Sequence, residues 1–355
     1  MIIIPFFYIK IKFLMMDKKI KVAKRLINMF QIKKGETIAI TEDNNSEPGL
    51  VDALFTEVIN AGGKPLVLKF KQARDNGQAG IMDWPAEALT AALSNVDVWI
   101  ETNYAFLLYS DIWEEAMRIN KKLRFLTITQ STIPSLERVF CDYEVADMST
   151  LLYELKDMAS EAKRVTIESS NGTNVSFEIE PKFPLDLDDG DFSKPKFMTA
   201  PGYLNIVPKS GTMNGTIVFD MIMHADLSDN STVHFTMKDG KIINFKGSKG
   251  HLLKDYVEKF NEENMFKISH MMVGANPGVR KLSYEIVEDE RIWGGVDFGF
   301  GHTSPIDMPP LGQKATSHFD GVVEKVDLYF DHIQVLEKGV FSHIKIKEVA
   351  ENLLN

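Results

Sequence analysis

Between residue 18 and about residue 163 the apolar positions alternate between a helical period and short continuous runs. Val22, Leu26, Ile27 and Phe30 mark one face of a helix, and residues 36–41 follow as a short buried strand. Residues 48–61 repeat the 3.6-residue spacing and stop at Gly62-Gly63, a sensible C-terminal stop. Residues 65–70, 96–101 and 123–129 read as further strands, and residues 85–93, 110–120 and 148–162 as helices. Strand-helix alternation with short connections predicts a mostly parallel sheet covered by helices. No glycine-rich phosphate loop follows any of these strands, so a dinucleotide or nucleotide-triphosphate site has no support.

Beyond residue 163 the texture changes. Residues 164–169 and 174–179 flank Asn171-Gly172, a hairpin signal, although the loop is longer than two residues. Residues 215–220, 232–237 and 241–245 read as strands, the last two joined at Asp239-Gly240, and one helix spans about 252–262. The expected organisation is an α/β domain with a mostly parallel sheet over residues 17–162, then a β-rich (α+β) metal-binding domain over 163–355. Two domains suit a chain of 355 residues.

Composition narrows the classes. With 44% hydrophobic and 25% charged residues the chain is a soluble globular protein with ample core. A net charge of −10, with no basic run interleaved with aromatics, argues against nucleic acid as a partner. One cysteine, Cys141, excludes an intrachain disulfide and a cysteine-based zinc cluster, and fits a reducing cytoplasm. Residues 1–16 (MIIIPFFYIKIKFLMM) are too short for the roughly 20 apolar residues that span a bilayer. They also lack the basic start and small-residue cleavage site of a signal peptide. They read as a leader, disordered or upstream of the true start at Met15 or Met16, and no membrane partner is expected.

The candidate chemistry lies in the second half. The run from Thr316 through Gly321 leads into residues 322–330, and the whole reads as a strand. Residues two apart share a face, so His318 and Asp320 fall on the side of Val322, Val326, Leu328 and Phe330. An imidazole and a carboxylate on an inward face need a partner. A metal ion is one such partner; a plain His–Asp hydrogen bond on a half-exposed strand is another, and these residues alone leave both open. His270 stands where the apolar stretch from Ile268 gives out into Gly274-Ala275-Asn276-Pro277. Together, His270, His318 and Asp320 would form a two-histidine, one-carboxylate set, the arrangement of non-haem Fe(II) enzymes that activate O2, although spacing alone does not select it. His302 follows the glycine-rich stretch 294–301, read as a loop; it is a candidate catalytic group, with Ser304 beside it in the pocket. Asp297 is a candidate acceptor behind a ligand histidine, since such ligands usually have one.

The segments 214–220, 240–260, 268–277 and 317–331 resemble the family of aminopeptidase T-type metallopeptidases and 2,5-dihydroxypyridine 5,6-dioxygenases. The first half agrees in pattern more than in residues. The aminopeptidases bind two metals and carry a glutamate where this chain has His270, in His-Met-Met-Val-Gly-Ala-Asn. Their other glutamate falls on Lys196 and their intermediate histidine roughly on Asp297. A protonated lysine cannot ligate a cation and would repel a second one. The dioxygenases carry Ile-Ser-His and His-x-Asp, matched by Ile268-Ser269-His270 and by His318 and Asp320. The resemblance therefore implies a ring-cleaving dioxygenase acting with O2 on a hydroxylated N-heteroaromatic, with one Fe2+ held by those three residues, in a homodimer. The alternative is a metallo-aminopeptidase using Zn2+ or Co2+. There is one departure: the dioxygenases have Leu-Leu-His-Ser where this chain has Leu107-Leu108-Tyr109-Ser110. A phenol, with an ordinary pKa of about 10, donates a hydrogen bond but is a poor base. Tyr109 is thus a candidate catalytic residue with an altered proton role.

Overall fold

The structure, a computed structural model, describes residues 6–355, with side chains from Asp17 onward. The leader expected over residues 1–16 thus lies outside the residues described in full. The chain divides into two compact units, residues 1–142 with 190–200, and residues 143–189 with 201–355. Among the described residues no helix is long and apolar enough to cross a membrane.

The first unit holds a parallel five-stranded sheet in the order Lys64–Lys69, Thr37–Glu42, Val98–Glu101, Arg124–Thr127, Lys196–Met198. Helices cover it, so its three central strands are buried almost along their length, which is why they read as continuous apolar runs. Helix Leu50–Asn60 buries Leu50, Val51, Leu54 and Val58, the helical spacing expected of one inward face. It ends where Gly62 takes φ +84°, with Gly62 N–H donating to the Ile59 carbonyl and Gly63 N–H to that of Val58. Trp99, Trp113, Phe125 and Phe197 form the aromatic centre of this core. Besides the short 3-10 helix Gly77–Asp83, two elements of this unit were not foreseen. Helix Ile133–Phe140 is capped by the Thr132 side chain, which accepts from Ser135 N–H. The edge strand Lys196–Met198 carries Lys196, paired in register with Arg124.

The second unit contains two antiparallel sheets. One has eight strands, in the order Lys241–Lys246, Val233–Lys238, Asn214–Phe219, Asn174–Glu178, Arg164–Glu168, Asp327–Phe330, Ile333–Glu337, Val340–Phe341. The other has six, in the order Met221–Ile222, Gln313–Val323, Val296–Thr303, Ile268–Gly274, Tyr203–Ile206, Asp186–Asp188. Helix Val145–Glu161, expected to close the first domain, buries Met148, Leu151, Leu152, Leu155 and Met158 in this unit's core instead. The division therefore falls at residue 142 rather than near 162, since the helix's apolar face packs equally well in pattern on either side of a boundary.

Two other expectations are corrected. Residues 318–330 are not one strand: Lys325 takes φ +52°, and the chain passes from the six-stranded sheet to the eight-stranded one. Val326, Leu328 and Phe330 consequently do not share a strand face with His318. The glycine-rich stretch is a loop only at Gly294-Gly295; from Val296 on it is the wholly buried strand Val296–Thr303, in the middle of the sheet.

Glu101, at the carboxyl end of its strand, is fully buried. It accepts from Leu107 N–H and, at 3.2 Å, from Asn103 Nδ2. Burial pushes its carboxyl from 4.5 up to about 7, against those hydrogen bonds. A group bound more tightly by its proton in the folded state makes stability fall as pH rises from about 4.5 through about 7. Glu101→Gln should remove that loss. Well above neutral pH it should melt higher than the parent chain, by a stabilisation on the order of 2–3 kcal/mol, with the two converging below about pH 4.5. Parallel melting curves across the whole range would contradict this account.

Candidate metal centre

Three neighbouring strands of the six-stranded sheet build the site. In register, His270 lies opposite Gly299, Gly299 opposite Asp320, and Gly301 opposite His318. Cross-strand partners share a face, so His270, Asp320 and His318 project to one side, with Asp297 two residues before Gly299 on that same side. The other side presents Met271, Val273, Phe298, Phe300 and Phe319 to the hydrophobic core. The sheet thus separates apolar packing on one face from polar chemistry on the other. A register irregularity between Ile268 and His270 offsets the strand there, the kind of local shift that re-aims a side chain.

Gly299 is the floor of the cluster. A Cβ at this position would lie 2.5 Å from His270 Cε1, 2.6 Å from His270 Nε2 and 2.9 Å from Asp320 Oδ1. The imidazole and the carboxylate occupy the volume that any side chain there would need.

The three ligand-type residues converge. His270, His318 and Asp320 each offer one donor atom, and these atoms lie within 4.8 Å of one another. His318 Nε2 is 2.9 Å from Asp320 Oδ1, and His270 Nε2 is 3.4 Å from the same oxygen. Metal bonds of about 2.1 Å place adjacent ligands about 3 Å apart and opposite ones about 4.2 Å apart. Both contacts to Asp320 Oδ1 fall near the adjacent-ligand spacing.

Hydrogen bonding supports that fit. His318 Nδ1 is 2.7 Å from the His302 carbonyl, which only accepts, so Nδ1 carries the proton. That carbonyl also accepts from Ser269 Oγ at 3.0 Å, and Ser269 in turn accepts from Thr303 Oγ1 at 2.7 Å. Nε2 is then the ring nitrogen left to face Asp320 Oδ1, at 2.9 Å. Asp297 is fully buried, among the described residues neither of its oxygens has a hydrogen bond, and Oδ2 is 3.3 Å from His270 Nε2. Burial opposes charge on His270, but Asp297 and Asp320 outweigh it and lift the imidazole to about 10. Burial and the Asp320 charge together push Asp297 well up. Asp320 goes the other way: burial alone would raise it, but His318 and His270 hold it well below the usual carboxylate range. These buried donors and acceptors suit a divalent cation, two nitrogens and hard oxygen in character.

The remaining candidates are distributed as follows. His302 is buried on the strand Val296–Thr303, its carbonyl orienting His318. Ser304 is buried and organises the turn that follows: its Oγ accepts from Ile306 N–H, and its carbonyl from Asp307 and Met308. Tyr109 and Lys196 lie in the first unit. Tyr109 takes φ +64° before helix Asp111–Ile119, with its ring edge-to-face on Trp113 at 5.8 Å. Three contributors were not singled out from sequence: Gly299, Asp307 and Glu290. Asp307 and Glu290 are carboxylates whose electrostatic partners include His270. A glycine, or an acid in a proline-flanked turn, gives no periodic signal to find it by.

A family model described as NicX, 2,5-dihydroxypyridine 5,6-dioxygenase, matches residues 18–343. Among solved structures, the 2,5-dihydroxypyridine dioxygenase of Pseudomonas putida KT2440 superposes with a TM-score of 0.78 at 16% identity, over 92% of this chain and 98% of that one. Wild-type AmpT from Thermus thermophilus superposes with a TM-score of 0.67 at 11% identity, over 92% and 100% of the two chains. At these identities the two superpositions establish a shared fold. No curated protein matches the chain.

Gly299→Ala should leave the fold intact and expel the ion. Its methyl group meets the tips of two side chains rather than backbone. The melting temperature of the metal-free protein should barely change, while Zn2+ or Co2+ binding by calorimetry falls at least tenfold; unchanged binding would refute the role given to this glycine. Because His270 holds its proton until about pH 10, a cation must displace it. Affinity should therefore rise with pH below that value, by up to about tenfold per unit, with release of a proton visible in buffers of different ionisation heat. Binding independent of pH and buffer would contradict ligation by His270.

Proposed function

The chain belongs to the 2,5-dihydroxypyridine 5,6-dioxygenase family, and from that premise we propose that it is an Fe(II)-dependent ring-cleaving dioxygenase whose substrate is a hydroxylated N-heteroaromatic of the 2,5-dihydroxypyridine kind. The observation that carries this reading is the convergence of His270, His318 and Asp320 on the polar face of one sheet. Two imidazoles and one carboxylate leave the rest of an octahedral shell open, the donor set characteristic of non-haem Fe(II) oxygenases. Fe(II) bound there would bring O2 and the ring together and pass electron density between them.

The chain's own groups prepare that chemistry. The His302 carbonyl fixes the proton on His318 Nδ1 and leaves Nε2 as the donor. Asp297 sets a carboxyl oxygen 3.3 Å from His270 Nε2, an oxygen partner beside the proposed ligand. His302, Thr303 and Ser304 are all buried at the end of the central strand, which keeps bulk water from the cluster. Among the described residues one convergent group of ligand-type side chains occurs, and this favours one ion over the two of a dinuclear aminopeptidase.

Protein purified without air should carry about one iron per chain and consume O2 when 2,5-dihydroxypyridine is added, with both oxygen atoms appearing in the ring-opened product. His318→Ala should lose both iron and O2 uptake. Full iron content in that variant would remove His318 from the ligand set. Peptide hydrolysis by zinc- or cobalt-loaded protein, with no O2 uptake by the iron form, would overturn the proposal.

A further inference from the structure

Asp307 is a buried acid whose carboxylate no donor among the described residues holds. It lies in the turn after the strand Val296–Thr303, its N–H donating to the Ser304 carbonyl at 3.1 Å, and the residue is 7% exposed. Among the described residues its carboxylate makes no hydrogen bond and no ion pair, unlike Asp297, which has His270 beside it, and Asp320, which has both histidines. The charges that act on it are those of His270, His318 and His302, so it is within electrostatic reach of the cluster. It is nevertheless outside the group whose donor atoms converge. Burial pushes its carboxyl up to about 6 against the pull of those three imidazoles. A largely buried carboxylate without a protein donor is costly, and a ligand that brings a donor to it offsets that cost.

The expected substrate class supplies one. A pyridine with a hydroxyl next to its nitrogen exists in water largely as the lactam, with an N–H beside a carbonyl. A carbocyclic diphenol of the same shape has a C–H at that place. We propose that Asp307 reads the ring nitrogen, its carboxylate accepting the hydrogen bond of the substrate's N–H and so selecting N-heteroaromatic over carbocyclic rings. This rests on the function proposed above and adds to it the residue that discriminates. Asp307 is a specificity residue rather than a ligand, so its removal leaves the ion in place. Sites built around a buried hydrogen-bonding group reject analogues that lack the matching donor far more strongly than apolar pockets reject a change of shape.

The test compares iron-loaded parent protein with Asp307→Ala, without air, for binding of three probes: 2,5-dihydroxypyridine, hydroquinone, and 5-hydroxy-1-methyl-2-pyridone. Both proteins should hold the same iron. The parent should bind the first probe at least tenfold more tightly than either of the others. In Asp307→Ala the first probe should weaken by roughly ten- to a hundredfold, the range for a charge-assisted hydrogen bond. Hydroquinone should bind as before. The N-methyl compound should bind more tightly than it does to the parent, because its methyl group fills the space the carboxylate leaves. That gain cannot arise from misfolding. An unchanged order of the three probes in the variant overturns the inference while leaving the function standing; so does loss of iron in Asp307→Ala, which would make the residue a ligand. Iron-loaded parent protein that binds neither pyridine overturns both.

Discussion

The positive charge demanded by the polar face of the six-stranded sheet is the constraint on which the rest of the site depends. Asp297 and Asp320 flank a single imidazole nitrogen of His270, and a second imidazole, that of His318, brings Nε2 to 2.9 Å from Asp320. All are buried or nearly so, where unpaired charge is costly and a half-satisfied network is worse than an apolar one. A proton on His270 meets part of this demand, and a divalent ion meets more of it, since it can touch several oxygens and nitrogens at once. The sheet tolerates the arrangement because its opposite face is packed with Phe298, Phe300 and Phe319, whose burial supplies cohesion independent of the charges.

Much of the first unit was legible because a parallel sheet covered by helices leaves continuous apolar runs separated by helical ones. The edge strand Lys196–Met198 escaped notice, as three residues arriving after a long excursion through the other unit cannot display a period. The second unit was legible as antiparallel, but its internal break was not. The alternation of apolar residues continues across Glu324-Lys325, so nothing in the period announces that Lys325 turns the chain into another sheet. Glycines misled in the opposite sense: residues 294–301 look like a loop, whereas the strand carries glycine at 299 and 301 because neighbouring atoms already fill the side-chain space.

The site divides in the same way. His270, His318 and Asp320 were readable because residue type carries metal chemistry, and the structure brings the three together. What orients them was not readable: a backbone carbonyl at His302, a hydroxyl relay through Ser269 and Thr303, and an absent side chain at 299. Carbonyls and missing atoms have no signature in a sequence. Asp297 was noticed as an acceptor behind a histidine, and in the fold it is fully buried with Oδ2 3.3 Å from His270 Nε2.

Gly299 also bears on how such a chain can diverge. Every glycine codon is one base change from an alanine codon, and that exchange would fill the floor of the cluster without touching the packed face of the sheet. A lineage carrying it would keep its architecture and its outer loops while the geometry of the cluster changed. One mutational step at this position would then close the space between His270 and Asp320, so whether such a cluster can converge on anything is written as much in what residue 299 lacks as in its histidines.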